Sequence, residues 1–135
     1  MGVIIDTSVL IAGERGGRGV PDLLRSLGTE SVAIAAITAS ELLHGCHRAK
    51  EPATRIRRTA FVDALLALLP SVSFGLAEAR VHAAVWAELT ACGIPIGAHD
   101  LLIAATALAR GDAVATLNHR EFSRVPGLRL LALDG

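Results

Sequence analysis

Three carboxylates in the chain occupy positions at which a metal-binding site can form. Asp6 follows the apolar run 3–5, and both Glu41 and Asp100 come after turn-like residues and open segments with helical character. In a parallel α/β fold such junctions gather at one end of the sheet, so the three side chains are expected to share a pocket. Two carboxylates about 5 Å apart repel by roughly 3 kcal/mol at an effective dielectric constant of about 20, and a bound cation relieves that repulsion. The pattern predicts a site for a divalent metal ion.

The elements that must position these carboxylates alternate along the chain. Strands are predicted at 3–5, 32–35, 72–74, 113–116 and 128–131, and helices at 8–14, 21–27, 38–44, 54–69, 76–91 and 101–109. Short β-branched runs without amphipathic alternation are typical of buried parallel strands. The segment 101–109 is apolar on all sides, which predicts a helix that is buried on both sides. The alternation predicts an α/β domain whose parallel sheet is covered on both faces.

Length and composition favour a soluble, cytoplasmic protein with one domain over residues 1–135. Thirteen basic and thirteen acidic side chains give a formal net charge of zero, which argues against a protein that coats polyanions in general. Aromatic residues make up only 3% of the chain, so stacking on nucleic-acid bases is not the expected mode of binding. No basic leader is visible at the amino end, and no apolar run is long enough to span a bilayer. Membrane partners are therefore not expected.

One segment is locally basic although the whole chain is neutral. Within eleven residues it carries Arg48, Lys50, Arg55, Arg57 and Arg58, interrupted only by Glu51. Such a cluster attracts phosphate groups, although a solvated helical face gives the same pattern. Both interpretations remain open from the residues alone.

Each carboxylate also has a purely structural interpretation. Residues 38–41 match the spacing of a capping box, in which the Glu41 side chain returns to the helix backbone, and Asp6 and Asp100 suit ordinary helix caps. A non-catalytic α/β interaction module is therefore one alternative. Magnesium, however, typically needs only one or two protein carboxylates, and this chain provides enough of them.

Hydroxyl groups near the predicted site are accessory candidates. Thr7, Ser8 and Thr116 could bind water or phosphate there, and they suit cap and turn positions equally well. A haloacid-dehalogenase-type phosphatase also begins with a strand that ends in Asp, but that family has a second Asp two residues later, where this chain has Ser8. This is the weakest alternative.

Four segments, taken in their order and spacing, resemble the PIN-domain ribonucleases, and in particular the compact VapC-type toxins of bacterial type II toxin–antitoxin pairs. The segments are VIIDTSVLI at 3–11, SELLHG at 40–45, IGAHDLLIAA at 96–105 and ATLNHREF at 115–122. Each motif is weak alone, but the four together are quite specific. The resemblance covers essentially the whole chain.

The resemblance implies a PIN-like three-layer α/β/α sandwich with a short central parallel sheet, and hydrolysis of RNA phosphodiester bonds. It implies that Asp6, Glu41 and Asp100 hold Mg²⁺, for which Mn²⁺ can substitute. Asp6 and Asp100 would be direct ligands, and Glu41 would act through a water molecule. A metal ion in such a site polarises the phosphoryl oxygen and lowers the pKa of a water molecule.

The chain departs from the family pattern at its fourth motif. Many relatives have Asp at the position of Asn118, and Asp-Phe where this chain has Glu121 and Phe122. Asn118 is assigned to the catalytic site and Glu121 to its surroundings. Which of the two fills the fourth position, and whether one or two metal ions bind, stays open.

The resemblance also implies partners. These are an RNA substrate, a second copy of the chain in a homodimer, and a VapB-type antitoxin that threads a segment toward the acidic site. An antitoxin arginine among the carboxylates would displace the metal ion and satisfy their charge. DNA would be contacted only through the antitoxin. The basic residues of the segment 48–58 are the candidates for contact with RNA or antitoxin.

Overall fold

Five parallel strands form a single sheet in the computed structural model, which describes residues 2–28 and 31–131. The strands are β1 (Gly2–Ile5), β2 (Ser31–Ala35), β3 (Ser71–Val72), β4 (Ala113–Ala115) and β5 (Leu130–Leu131), in the order β3-β2-β1-β4-β5. The central strand β1 pairs Ile4 with Ala33 of β2 and Ile5 with Ala115 of β4. Strands β1 and β4 therefore end side by side, although they are more than 100 residues apart in the sequence.

Helices cover both faces of the sheet. They are α1 (Thr7–Arg15), α2 (Val20–Ser26), α3 (Ala36–Arg48), α4 (Pro52–Leu68), α5 (Leu76–Ala91), α6 (Ala98–Arg110) and α7 (His119–Phe122). Alternate residues of a strand face opposite sides, and in β1 Ile5 packs in the apolar core with α1, α2, α3 and α4, whereas Ile4 packs in the core with α5 and α6. The predicted three-layer α/β/α arrangement is confirmed.

Helix α6 lies between α5 and the sheet. Ile103, Ala104, Ala105 and Ala107 are fully buried, so the prediction of a helix buried on both sides is confirmed. The small side chains of Ala104, Ala105 and Ala107 allow close packing of the helix against its neighbours, and the larger Ile103 fills the core beside them. Asp100 lies in the first turn of α6, so the packing of this helix fixes the position of a candidate site residue.

Helix α3 begins earlier and ends later than predicted. It starts at Ala36, directly after β2, and continues through Gly45 to Arg48. Thr38 therefore lies inside the helix, fully buried, and the capping-box interpretation of residues 38–41 is wrong. Glu41 lies in the second turn of α3 and does not open it. The early start has no local signal, because the residue at the N-cap position, Ala35, has no side-chain acceptor.

The remaining differences are small. Helix 76–91 has the predicted bounds, whereas β3 and β5 are only two residues long and the four-residue α7 was not predicted. No helix within residues 2–28 and 31–131 combines the length and apolar character needed to cross a bilayer.

Candidate functional site

The site begins where β1 and β4 end. Asp6, which follows β1, is buried, with 4% of its surface exposed. Its Oδ2 atom accepts a hydrogen bond of 2.6 Å from the Ser8 hydroxyl and one of 2.7 Å from the Thr116 hydroxyl, which follows β4. Asp6 occupies the N-cap position of α1, but its side chain makes no hydrogen bond to the helix backbone. The cap interpretation of Asp6 is therefore not supported.

Both hydroxyls are themselves held by the turn after β4. Thr116 Oγ1 accepts a hydrogen bond of 2.8 Å from the backbone N–H of Asn118, and Ser8 Oγ accepts one of 3.1 Å from that of Leu117. Each hydroxyl then has its single proton free to donate to Asp6. The network fixes one carboxylate oxygen of Asp6 and leaves the other, Oδ1, without a hydrogen bond in the described part of the chain.

Glu41 is oriented from two sides. Its Oε1 atom lies 2.9 Å from the Thr7 hydroxyl, which also lies 3.1 Å from the hydroxyl of the buried Thr38. Its Oε2 atom lies 3.4 Å from Nδ1 of His99. Thr38 and Glu41 are three residues apart on α3 and therefore share a helix face. The structure thus connects Glu41 to α1 and to α6.

Asp100 is the residue most perturbed by the site. Burial raises its pKa to about 6, assisted by the negative charges of Asp6, Glu121 and Glu41 and partly opposed by His99. Three negative charges from other elements converge on Asp100: Asp6 after β1, Glu41 on α3 and Glu121 on α7. The sequence predicted this convergence for Asp6 and Glu41. The cap interpretation of Asp100 is wrong, because Gly97 is the N-cap of α6 and Asp100 is the third residue of that helix.

Glu121 is the residue of the fourth motif whose negative charge acts on Asp100. Glu121 Oε1 accepts a hydrogen bond of 2.8 Å from the backbone N–H of Gly97, and its Oε2 atom lies 3.3 Å from Nη1 of Arg124. Arg124 also donates to the Pro95 carbonyl at 2.8 Å. Glu121 and Arg124 therefore both bind the turn that precedes α6 and connect it to α7. The Asn118 side chain is exposed and makes no hydrogen bond within the described residues.

These donors fit an open site for a hard divalent cation. Across residues 2–28 and 31–131, no three His, Cys, Asp or Glu side chains lie close enough together to bind one metal ion directly. A closed zinc site is therefore not formed by these residues. Magnesium usually keeps several waters and takes only one or two carboxylates. Asp6 and Asp100, with Glu41 and Glu121 as further negative charges, match that requirement.

A polar cleft leads away from Glu41. It has a volume of about 390 Å³, and its walls are formed by α1, α3 and α4. Of the five basic residues singled out in the sequence, Arg48 and Arg58 line it. Lys50, Arg55 and Arg57 do not. Arg15 also lines it. No local pattern predicts this, because only the packing of α1 against α3 brings Arg15 to the basic segment.

The four motifs and this geometry agree with comparisons to known proteins. The sequence profile described as "PIN domain" matches residues 3–128. The chain belongs to the PIN domain family. Ribonuclease VapC1 of Rickettsia felis is 37% identical to it over 134 residues, covering 99% of this chain and 98% of that protein. A tRNA(fMet)-specific endonuclease VapC of Salmonella typhimurium is 35% identical over 106 residues, covering 78% and 77% of the two chains.

The fold of this PIN domain is also similar to that of a solved VapBC structure. A chain of VapBC2 from Rickettsia felis, crystallised bound to a DNA fragment from its promoter, superposes with a TM-score of 0.86 at 26% identity, covering 99% of this chain and all of that one. The PIN domain fold and the relationship to VapC nucleases also remove the support for a haloacid-dehalogenase-type phosphatase. Consistent with this, Ser8 donates a hydrogen bond to Asp6 at the position where that family has a second carboxylate.

Proposed function

We propose that this protein is a metal-dependent endoribonuclease that acts as the toxin of a VapBC-type toxin–antitoxin pair. The observation that carries the proposal is the convergence of Asp6, Glu41 and Glu121 on Asp100, a half-buried carboxylate whose pKa is raised to about 6 by burial and, to a smaller extent, by these like charges. Relatives that match most of the chain are ribonucleases and endonucleases. A cluster of like charges in a cleft is the arrangement expected for binding a cation and acting on a phosphodiester.

Mg²⁺ is the proposed cofactor, with Mn²⁺ as a substitute. Asp6 and Asp100 would hold it directly, and Glu41 would act through a water molecule. When bound, the ion supplies Lewis acidity at the phosphoryl oxygen and neutralises developing negative charge. The hydroxyls of Ser8 and Thr116 keep Asp6 in one orientation throughout, which avoids reorganisation of this carboxylate during the reaction.

Glu41 is the residue placed to orient the attacking water. Thr7 fixes its Oε1 atom, and its Oε2 atom lies beside His99. In this arrangement one oxygen is held while the other can accept a hydrogen bond or a proton from water aligned for in-line attack. The imidazole of His99 is then a neighbouring group through which that proton can leave.

The proposed partners follow from the same relationships. VapBC2 of Rickettsia felis is a complex bound to promoter DNA, and we propose a VapB-type antitoxin for this chain, with DNA contacted only through the antitoxin. A homodimer is proposed from the family resemblance. Because one relative is a tRNA(fMet)-specific endonuclease, that tRNA is the first substrate to test.

The decisive experiment measures cleavage of total RNA and of tRNA(fMet) by the purified chain with Mg²⁺, with Mn²⁺ and with a chelator. Cleavage is expected with either metal ion and not with the chelator, and Asp100→Asn is expected to abolish it. Asp63→Asn is the matched control, because Asp63 is an exposed carboxylate on α4 outside the site. Unchanged cleavage by a folded Asp100→Asn protein would contradict the proposal.

Calorimetric titration with Mn²⁺ addresses the alternative of a non-catalytic interaction module. The nuclease is expected to bind Mn²⁺ and to lose that binding in Asp6→Asn. Absence of binding in the unmodified chain, combined with absence of cleavage, would favour the interaction module.

A further inference from the structure

The cleft that leads away from Glu41 carries two arginines without partners. Arg15, the last residue of α1, and Arg48, the last residue of α3, are exposed, and neither makes an ion pair or a side-chain hydrogen bond within residues 2–28 and 31–131. The third arginine, Arg58, joins two walls of the cleft. Its Nε atom lies 3.2 Å from Glu14 Oε1 on α1, and its Nη1 atom donates to the Gly45 carbonyl on α3 at 3.2 Å.

These contacts leave the cleft with a positive end and a negative end. Arg58 neutralises Glu14, so Arg15 and Arg48 remain as uncompensated positive charges, and Glu41 marks the opposite end beside the other carboxylates. Glu41, Gly45 and Arg48 lie at positions i, i+4 and i+7 of α3 and share one helix face, with Arg48 about 10 Å along the axis from Glu41. Gly45 lines the cleft between them and presents no side chain to block it.

We infer that this cleft is a subsite for the RNA backbone, in which Arg15 and Arg48 bind a phosphate that neighbours the one held at the carboxylates. The inference rests on the proposed nuclease function and specifies where its substrate runs. A polyanion approaching a cluster of four carboxylates is repelled, and two arginines at the adjoining end of one cleft offset that repulsion. Guanidinium groups bind phosphate with paired, charge-assisted hydrogen bonds. Such contacts position a nucleic acid without reading its sequence.

The test measures binding separately from cleavage. The affinity of the full chain for a short, labelled single-stranded RNA of mixed sequence is measured by fluorescence anisotropy in an Asp100→Asn background, over a range of salt concentrations. Arg15→Gln and Arg48→Gln are each expected to weaken binding by about three- to tenfold. The double variant loses the phosphate that the two arginines share, so it should lower the slope of log affinity against log salt by about 0.7, the value for one lost phosphate contact to a single strand. Both side chains are exposed, so the thermal unfolding midpoint should not change.

Two further variants separate a defined subsite from general attraction. Arg80→Gln removes an exposed arginine from α5, in the opposite helical layer, and should leave affinity and slope unchanged. Arg57→Gln removes an exposed arginine from α4 that does not line the cleft. If Arg57→Gln weakens binding as much as Arg48→Gln, the basic face acts as a whole and the inference is overturned.

The remaining outcomes are also distinct. RNA binding that is unaffected by Arg15→Gln and Arg48→Gln, in a chain that still cleaves RNA, overturns the subsite and leaves the nuclease function standing. Loss of antitoxin assembly in these variants with unchanged RNA binding assigns the cleft to a protein partner, which also overturns it. If no form of the chain binds or cleaves RNA, the proposed function itself fails.

Discussion

Thr116 and Asp6, which are 110 positions apart in the sequence, are joined by a hydrogen bond of 2.7 Å between Thr116 Oγ1 and Asp6 Oδ2. The contact exists because β1 and β4 are parallel neighbours whose carboxyl ends lie side by side. Both residues are buried, so water does not compete for the bond. The orientation of a candidate metal ligand therefore depends on a hydroxyl from the other end of the chain.

The first prediction concerns this hydroxyl. Thr116→Val keeps the shape of the side chain but removes one donor to Asp6 and the acceptor of the Asn118 N–H. We expect a loss of about 1–3 kcal/mol in the free energy of unfolding, the usual cost of leaving buried polar groups unpaired. RNA cleavage should fall by about 10- to 100-fold because Asp6 is no longer fixed. Urea denaturation and initial cleavage rates measure the two effects.

Thr116→Ser is the control for this prediction, since it retains the hydroxyl and loses only a methyl group. It should cleave RNA much faster than Thr116→Val. Equal rates for the two variants would show that the hydroxyl does not position Asp6.

The second prediction is a pH dependence that originates at Asp100. Its pKa in the folded chain is about 6, against an ordinary value of 3.8, so between these values the folded state binds more protons than the unfolded state. Stability contributed by Asp100 is therefore greatest below pH 3.8 and is lost as the pH rises to about 6. In metal-free buffer, the free energy of unfolding of the unmodified chain should decline across this window relative to that of Asp100→Asn.

Titration of Asp100 should also change the affinity for metal ions. This affinity should rise with pH, whereas the free energy of unfolding should fall. A cation binds the ionised carboxylate, so the affinity for Mn²⁺ should rise as the pH increases through about 6. Calorimetric titrations at several pH values measure this. A flat profile for both stability and metal affinity would show that Asp100 is not the titrating group.

The third prediction distinguishes a positioning role of Glu121 from a role that requires its charge. Glu121→Gln can still accept the hydrogen bond from the Gly97 N–H, whereas Glu121→Ala cannot. If Glu121 acts by holding the turn before α6, Glu121→Gln should cleave within a fewfold of the unmodified chain and Glu121→Ala should be clearly slower. The ion pair with Arg124 is partly exposed and contributes little by itself.

Glu121→Gln also removes a like charge near Asp100, so the pKa of Asp100 should fall in this variant. The pH dependence of unfolding reports that change. Loss of cleavage in Glu121→Gln as complete as in Asp100→Asn would instead make the Glu121 charge a requirement of metal binding.

The fourth prediction uses a glycine beside the site. A Cβ atom at Gly97 would lie 3.3 Å from Asp100 Oδ2 and 3.8 Å from Glu121 Oε1. Gly97 has a φ of −59°, so alanine is not strained there. Gly97→Ala should therefore reduce cleavage and Mn²⁺ affinity by displacing Asp100, with little change in unfolding temperature.

Gly75→Ala is the matched control for Gly97→Ala. Gly75 also precedes a helix, and a Cβ atom there would lie 3.4 Å from Glu78 Oε1, but this carboxylate is outside the site. Its substitution should leave cleavage unchanged. Equal losses in the two variants would point to a general effect on the chain rather than to Asp100.

The sequence predicted those parts of the molecule that depend on local pattern. The strand before Asp6, the bounds of α5 and the burial of α6 follow from apolar runs and stop signals, and they fix the fold class. The approach of Asp6 to Thr116 follows from the fold class, because neighbouring strands of a parallel sheet end at one edge. Asp100 follows no strand, and the packing of α6 brings it to this edge.

What the sequence did not predict depends on packing between distant segments. The contacts of Thr7 with Thr38 and Glu41, and of Arg124 with Pro95, join side chains from different elements that no local pattern pairs. Arg15 reaches the basic cleft only because α1 lies against α3. The early start of α3 at Ala36 was missed since the residues there provide no cap, and tertiary contacts stabilise that turn.

The position of β4 has a consequence for the synthesis of the proposed nuclease. Domains form as the chain leaves the ribosome, beginning from the amino end, but Asp6 acquires its Thr116 partner only after β4 has inserted beside β1. A nascent chain that has not reached residue 113 therefore carries Asp6 and Glu41 without a complete site. The order of translation itself delays completion of the site until almost all of residues 2–131 have been made.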